Sequence, residues 1–575
     1  MNTNARVWKG RLGRLILAST ILTTTVGTAV SAQRMPSKSK YGGEATVAIN
    51  SIITGMCFTN INVGTNGGAI ASILEPLFLK ADNGKAVGLL AESATASADL
   101  KTWTIKLRPN ISYTNGQAFN ADSVIENLDY VRGAKYLANP AANAWTLSNG
   151  IPGSANILSL TKVDDLTVNI NLDHPQNDID LALSYPTSGM RASEQLASKD
   201  NCVNKAIGTG PFILDSWTGD TLVAHKNPNY WRTDPNKPST KLPYLDKITF
   251  VNVKEGSQRA AAVRKGTVDA AMFNGLLDGT FIKDLRQRKS AVSVTSTFAN
   301  SYVSLWMNQG NGGPFTDLNA RLAVASCIDR VNFNKVRVKG TGEVPTSTVG
   351  SKNVMYNKKG LVKFDVEKSK GYVAAYLAAH PDKTSLAFSM PFEPSTTSQA
   401  NKNFLKQTFA SCNITLNDTT EDGNVWALKA FNPLTGKNAY DAIYTPLLLD
   451  VDVAVNFQFL ISNMFPTDSK NPMKLFRSVL GVVNNPTKHS NTKLDTLLLA
   501  AREATTPAAM KASYAAAMQE IQEQAIFVPV VNIGTSIALS VKTKIKGLGT
   551  LQLKKGIKPR MISNVGADWA GLYKG

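Results

Sequence analysis

The chain has 575 residues, of which 43% are hydrophobic and 18% are charged, and this length exceeds what one ordinary core accommodates, so we expect two lobes. Its net charge of +20 is spread over single lysines and arginines without an arginine-rich helix, so we expect no nucleic acid as partner. The densest basic group, between Lys542 and Arg560, leaves attraction to an anionic membrane open as a minor alternative.

The first 32 residues have the pattern of a secretory signal peptide. Four basic residues precede an apolar stretch that starts at Leu15, and Val30-Ser31-Ala32 fits the small-residue cleavage rule. We therefore expect export to the periplasm with cleavage after Ala32. The first cysteine, Cys57, lies far from the cleavage point, so we expect no lipid anchor.

Strand patterns alternate with helix patterns along the rest of the chain, which predicts an α/β fold with mixed sheets. The clearest strand patterns are Thr46 to Ile49, Trp103 to Leu107, Thr167 to Leu172 and Lys247 to Val253.

A tight turn and a hairpin are predicted between Ala206 and Trp231, because two glycines tolerate positive φ and Pro211 fixes the exit of the turn. The segment from Leu242 to Ala271 predicts a strand, an alanine-rich helix from near Ser257, and a turn at Gly266.

Two segments predict crossings between the lobes. A strand from Tyr302 to Met307 is followed by a glycine- and asparagine-rich break at 308–314, which can absorb backbone rotation. The return crossing is predicted at 526–532, after a long helix with Tyr514 and Met518 on its apolar face.

Catalytic and metal-binding patterns are weak in this sequence. Its four histidines lack a second histidine or a cysteine at metal-ligand spacing, and no G-x-S-x-G elbow or phosphate loop occurs. We therefore expect no enzymatic activity, no metal and no cofactor. Cys327 and Cys412 fall on the core faces of predicted helices and are expected to be small buried hydrophobes without partners.

Several motifs in order resemble the peptide/nickel-type (family 5) extracellular solute-binding proteins of ABC transporters. They are Leu74-Glu-Pro-Leu77, the GTGPF turn at 208–212, the NPNYW segment at 227–231, PYLDKI at 243–248, and an arginine–glycine–valine–aspartate pattern ending at Asp269. A further motif at 113–124 departs from the family's pattern. Asn115 stands where that pattern has an aspartate, and Asn120 stands where it has a threonine.

The resemblance implies a two-lobed periplasmic-binding-protein fold. Lobe I would comprise residues 33–304 plus 533–575, with an extra subdomain inserted at 78–199, and lobe II would comprise residues 305–532. It also implies a disulfide between Cys57 and Cys202, because the family fold puts both segments in one lobe.

The resemblance implies a monomeric receptor that captures oligopeptides or peptide-like solutes between the lobes and delivers them to an ABC permease. A buried ligand ammonium needs a carboxylate, and Asp450 occupies the place of the family's ligand-binding aspartate, although capping of a following helix is an alternative role for it. The other candidate ligand contacts are Tyr302, Trp306, Asn308, Glu393 and Tyr444.

Two other functions stay open from the sequence. One is a ligand-sensing binding protein without a transport role, and the other is a secreted two-lobed hydrolase. The ligand class is also open, since members of this family carry nickel, haem, opines and oligosaccharides as well as peptides.

Overall fold

The computed structural model describes residues 40–50, 55–58, 67–81, 84–132, 156–297, 302–310, 312–351, 353–430, 439–447, 457, 459–462, 470, 485–552, 557 and 568–575. The predicted signal peptide and the candidate ligand residue Asp450 lie outside these ranges. Within them, no helix combines the length and the apolar composition that a bilayer crossing needs.

The strands are β1 (Glu44–Ile49), β2 (Phe78–Lys80), β3 (Ala86–Gly88), β4 (Ala91–Ala96), β5 (Thr102–Leu107), β6 (Ile157–Asp164), β7 (Thr167–Leu172), β8 (Phe212–Trp217), β9 (Thr221–Lys226), β10 (Thr233–Asp234), β11 (Lys237–Lys241), β12 (Lys247–Asn252), β13 (Ala270–Asn274), β14 (Val292–Thr297), β15 (Tyr302–Met307), β16 (Leu386–Phe392), β17 (Ile414–Thr420), β18 (Ala442–Leu447), β19 (Phe527–Asn532), β20 (Thr535–Ser540), β21 (Ile545–Lys546) and β22 (Tyr573–Lys574).

The helices are α1 (Gly67–Ile70), α2 (Ala121–Arg132), α3 (Ile179–Ala182), α4 (Ser193–Leu196), α5 (Lys199–Asn204), α6 (Gly256–Lys265), α7 (Gly275–Gln287), α8 (Leu318–Cys327), α9 (Arg330–Arg337), α10 (Val366–Ala379), α11 (Thr396–Ala410), α12 (Gly423–Ala430), α13 (Thr492–Arg502) and α14 (Pro507–Glu523). Short 3₁₀ turns occur at Pro186–Ser188, Pro314–Thr316 and Trp569–Gly571.

Side-chain caps explain where many of these helices begin. A polar side chain just before the first turn accepts a hydrogen bond from a backbone N–H that has no partner inside the helix. The capping residues of α8, α9, α10, α11, α13 and α14 are Asp317, Asp329, Asp365, Ser395, Asn491 and Thr506.

The largest sheet is mixed, and its described strands run in the order β14-β20-β13-β1-β12-β9-β8. The central strand β1 pairs in parallel with β12 and β13, whereas the outer neighbours pair antiparallel. Alternate residues of β1 enter different apolar clusters, because Val47 packs with Phe250 on one face and Ala48 packs with Phe273 on the other. The sheet is therefore covered on both faces.

A second sheet has the order β4-β5-β7-β6 and is antiparallel. Its buried side chains alternate along the strands, with Trp103, Ile105 and Leu107 of β5 in one cluster with residues of β7 and α2. This sheet belongs to the segment 78–199, which the sequence predicts to be an inserted subdomain.

A third group of strands lies between positions 302 and 532 of the chain. The sheet β18-β15-β19 is antiparallel, while β16 and β17 form a separate parallel pair. Every residue of β15 and β19 is buried. Both predicted crossing segments are thus strands, and they pair with each other along their length.

Three of the family-type motifs meet around one buried carboxylate, that of Glu75. Its oxygens accept hydrogen bonds from Tyr230 Oη at 2.6 Å, from Trp231 Nε1 at 2.9 Å and from Thr209 Oγ1 at 3.0 Å. Burial raises the pKa of Glu75, while the positive charge of Arg232 and the three donors oppose that rise. These three motifs therefore encode a packing centre of the fold, and a ligand contact is unnecessary to explain them.

The two glycines of the 208–210 turn are needed for a close approach of two chain segments. A Cβ atom on Gly208 would lie 2.1 Å from the carbonyl oxygen of Ile73, and one on Gly210 would lie 2.4 Å from the same atom. Only glycine allows Thr209 to reach Glu75 past this carbonyl.

Two disulfides are formed. Cys57 and Cys202 are joined with a Cα–Cα distance of 4.8 Å, which is the pairing implied by the family resemblance. The expectation that Cys327 and Cys412 are unpaired is wrong, because they form the second disulfide with a Cα–Cα distance of 6.1 Å. Cys327 ends α8 and Cys412 follows α11, and these helix ends lie side by side in the core.

We predict that Glu75→Gln lowers the free energy of unfolding by about 2 kcal/mol, because an amide N–H₂ then faces donors where a carboxylate accepted them. Urea unfolding followed by circular dichroism measures this change. Glu194→Gln is the control, since its side chain is half exposed and bonds Lys205 and Asn115 at the surface. Equal unfolding midpoints for the two variants would contradict the assigned role of Glu75.

Candidate functional site

The crossing sheet has two faces, and the strand period assigns each side chain of β15 to one of them. Val303, Leu305 and Met307 pack in the cluster that contains α8 and β16. Trp306 packs in a different cluster, with residues of α13 and α14. Tyr302 and Ser304 share the face of Trp306 because they are four and two residues away from it.

Trp306 is almost completely buried, with 3% of its surface exposed. Its ring lies edge-on to Phe527 at a centroid distance of 5.5 Å and is tilted against Phe459 at 6.1 Å. Trp306 therefore forms part of the wall of an apolar core next to the crossing.

Ser304 is a polar residue on the same face that the sequence analysis missed. It is fully buried, and its hydroxyl has no hydrogen-bond partner among the residues that the structure describes. Buried hydroxyls are rarely left unpaired, so a polar ligand atom would find a donor here. A single serine in an apolar strand gives no sequence signal of this kind.

Tyr444 lies on the opposite face of the crossing sheet. It pairs in register with Leu305, and its ring contacts Phe333 and Phe392 at centroid distances of 6.3 and 6.4 Å. Burial raises the pKa of Tyr444, and the positive charge of Arg337 opposes this rise. The structure thus does not bring Tyr444 together with Trp306.

Asn308 follows β15 and is bonded within its own loop. Its side-chain Oδ1 accepts from the N–H of Gly310 at 3.0 Å, and its Nδ2 donates to the carbonyl of Tyr440 at 3.4 Å. Its backbone N–H donates to the carbonyl of Asp441 at 2.8 Å. The side chain therefore orders the exit of the crossing strand.

Glu393 follows β16 and is partly buried. Burial raises its pKa, a hydrogen bond with Trp426 lowers it, and the negative charge of Asp422 raises it. A partly buried carboxylate beside a second negative charge is stabilised by a nearby cation, such as the amine of a ligand.

Near Tyr302, at the other end of β15, lies a carboxylate that the sequence analysis did not select, that of Glu343. Tyr302 pairs with Asn532, whose backbone also bridges to Glu343. The Nδ2 of Asn532 donates to Glu343 Oε2 at 2.8 Å, and Glu343 is exposed. A carboxylate is thus fixed where β19 leaves the sheet.

The described histidine contacts do not form a nucleophile relay. His380 pairs with Asp317 at 3.1 Å, His225 pairs with Asp215, and His489 bonds the carbonyl of Leu460 at 2.8 Å. Among the residues that the structure describes, no group of three histidine, cysteine, aspartate or glutamate side chains could hold a metal ion.

A surface cavity of about 430 Å³ lies beside the loop that follows β15. Its lining includes Gly312, Pro314, Tyr376 and His380. His380 is already paired with Asp317, so the cavity offers few uncommitted charges.

Comparisons with known proteins agree on one family. Residues 85–464 match the model of bacterial extracellular solute-binding proteins, family 5 Middle. The glutathione-binding protein GsiB of Escherichia coli K12 is 28% identical over 311 residues, which are 53% of this chain and 56% of the relative. This match thus spans about half the length of the relative. GsiB of Shigella flexneri serotype 5b is 24% identical over 490 residues, 85% of this chain and 88% of the relative.

Solved structures show the same fold. The periplasmic binding protein DppA of Helicobacter pylori in complex with the peptide STSA has a TM-score of 0.74 at 19% identity, covering 93% of this chain and 98% of that one. The dipeptide-binding protein of Pseudoalteromonas in complex with Met-Leu has a TM-score of 0.73 at 18% identity, covering 93% and 100%. The predicted α/β, two-lobed binding-protein fold is confirmed.

We predict that Tyr444→Phe leaves the free energy of unfolding unchanged or raises it by up to about 1 kcal/mol, because the hydroxyl is buried without a partner in the described structure. Tyr230→Phe is the matched control and should destabilise by about 1 kcal/mol, since its hydroxyl bonds Glu75 at 2.6 Å. Urea unfolding of both variants measures the difference. Equal destabilisation would show that the Tyr444 hydroxyl is engaged.

Proposed function

Because this chain belongs to the bacterial extracellular solute-binding proteins of family 5, we propose that it is a periplasmic receptor that captures an oligopeptide or a peptide-like solute between two lobes and delivers it to an ABC permease. The observation that carries this proposal is the pair of buried strands β15 and β19, which pack in the clusters of residues 303–533 and, along the chain, follow β14 and precede β20 of the large sheet. A fold of this type is suited to opening and closing around a solute.

The proposed lobes follow the boundaries given by the sequence. Lobe I is 33–304 plus 533–575, with the subdomain 78–199, and lobe II is 305–532. Support comes from the clusters, since that of β1 also contains Ile537 and Trp569 from the end of the chain, whereas that of β15 is built from residues 303–533.

The proposed ligand is zwitterionic and polar. Relatives of this fold were solved with the peptide STSA and with Met-Leu, and GsiB is named for glutathione. In this chain, Glu393 and Asp450 are the proposed partners of the ligand amine, with Tyr302, Trp306 and Asn308 as further contacts. Tyr444, which the sequence also suggested, lies on the opposite face of the crossing sheet. The backbone of a peptide would be satisfied by strand-like pairing, which is indifferent to side chains and gives broad specificity.

The mechanism is a shift between lobe arrangements without covalent chemistry. A solute that touches both lobes favours the closed arrangement by the contacts that it makes only there. The relatives described above are named as binding proteins, which favours capture over hydrolysis. Export with cleavage after Ala32, a monomeric state without a lipid anchor, and docking of the closed form to permease subunits complete the proposal.

We predict that a solute of this class raises the melting temperature of the purified protein, because it binds the folded state alone. Thermal unfolding with Met-Leu, the tetrapeptide STSA and reduced glutathione tests this, and mass spectrometry of the recovered solute follows each binding reaction. An intact solute supports a receptor, whereas cleaved solute would establish the hydrolase. Genes for permease and ATPase subunits beside this gene would favour transport over the alternative sensor role.

We predict that Asp450→Asn weakens binding of an amine-bearing solute by roughly 10-fold or more, because a charged hydrogen bond is lost. Calorimetric titration with the free and the N-acetylated form of the same peptide measures the effect. The variant should affect the free amine alone, since the acetylated form lacks the charge. Equal affinities of both proteins for the free amine would leave Asp450 with a helix-capping role.

A further inference from the structure

A second connection between the two lobes lies away from the crossing strands. The residues Gln176, Asn177 and Asp178, just before α3, contact the end of α13. In the proposed division these three residues belong to the subdomain of lobe I, whereas α13 belongs to lobe II. The neighbouring apolar side chains fall in separate clusters, since Ile179 shares one with Leu172 and Leu498 shares another with Trp306.

Asn177 binds the C-terminal end of α13 with three hydrogen bonds. Its Nδ2 donates to the carbonyls of Ala501 at 2.9 Å and Ala504 at 3.0 Å, and its backbone N–H donates to the carbonyl of Arg502 at 3.1 Å. The last carbonyls of a helix lack partners inside the helix and need them from elsewhere. Asn177 therefore caps this helix from a distant part of the chain.

Arg502 extends this contact by donating a hydrogen bond from α13 to the residues before α3. Its Nη2 donates to Gln176 Oε1, and Gln176 Nε2 donates to Asp178 Oδ1 at 2.8 Å. The guanidinium also lies over the ring of Phe457, 4.3 Å from its centroid. Arg502, Gln176 and Asp178 are all buried, so this chain of hydrogen bonds joins two charges in a water-poor contact.

The lobe I side of this contact is also held by hydrogen bonds that do not involve Arg502. The carbonyl of Gln176 accepts from Trp103 Nε1 at 2.9 Å, its N–H donates to the carbonyl of Leu100 at 3.2 Å, and its Oε1 accepts from Asn156 at 3.0 Å. A preorganised acceptor loses little conformational freedom when the second lobe docks.

Separation of the lobes would expose both charges to water. Burial lowers the pKa of Arg502 and raises the pKa of Asp178, and the charge of each opposes the shift of the other. The hydration that is regained on opening offsets much of the hydrogen bonding that is lost. The contact is therefore suited to reversible opening.

We propose that Gln176–Asp178 form a latch with α13: they cap this helix from the other lobe, hold the closed arrangement, and make Asn177 and Arg502 positioning residues for solute capture. This inference rests on the proposed function, because a latch between lobes matters when the lobes close on a solute. By favouring the closed arrangement, the latch raises the apparent affinity without contacting the solute.

The test measures the distance between the lobes without any ligand. Lys106→Cys and Lys511→Cys place spin labels at exposed positions of β5 and α14, and the four native cysteines are all held in disulfides. Pulsed electron paramagnetic resonance then gives the distance distribution. Asn177→Ala should increase the share of the longer-distance population relative to the parent.

Two further variants make the result specific. Arg502→Met keeps an unbranched side chain on Phe457 but cannot donate, and it should lengthen the distance in the same way. Asn169→Ala is the matched control, because Asn169 bonds Thr104 inside the β4-β5-β7-β6 sheet at 2.8 Å and should leave the distribution unchanged. Distributions identical to the parent for both Asn177→Ala and Arg502→Met would overturn the latch.

Calorimetric titrations with Met-Leu and reduced glutathione separate this inference from the proposed function. If the parent binds either probe, Asn177→Ala should weaken its affinity roughly 10-fold, and an unchanged affinity would count against the latch. A lengthened distance in a protein that binds no solute would support the latch contact and count against the receptor function.

Discussion

The pairing of β15 with β19 is the constraint on which the rest of this structure depends. Both strands are buried along their whole length, so their backbone N–H and C=O groups need partners inside the protein. Their pairing supplies part of these, and β18 pairs with the other side of β15. Because side chains alternate between the faces of this sheet, neighbouring residues of the crossing belong to two different cores. The crossing strands are thereby anchored to both cores.

Much of the fold could be predicted because strand and helix periods are local signals. The strands at 103–107, 167–172 and 302–307 were predicted within a residue of their bounds. These local signals do not reveal which distant segments of the chain come into contact. Thr209 and Glu75 are 134 positions apart, and only the folded chain shows that the glycines beside Thr209 serve this contact. The pairing of Cys327 with Cys412 was missed because burial on a helix face does not reveal what the opposite helix presents.

The site was harder to predict because its geometry depends on register. Trp306 and Tyr444 are both aromatic residues on strands, yet a pairing of Tyr444 with Leu305 sends them to opposite faces. Ser304 and Glu343 belong to no sequence motif. Ser304 is notable because it is buried, and Glu343 is notable because it accepts a hydrogen bond from Asn532 at the end of β19. The ligand role of Asp450 stays a prediction from the family resemblance.

The central claim, two lobes that close on an unaltered solute, is tested most directly by small-angle X-ray scattering. The radius of gyration is compared for the solute-free protein and for the same sample saturated with a solute that it binds. We predict a smaller radius in the bound state at unchanged molecular mass. An identical scattering curve for the free and the bound protein would contradict it.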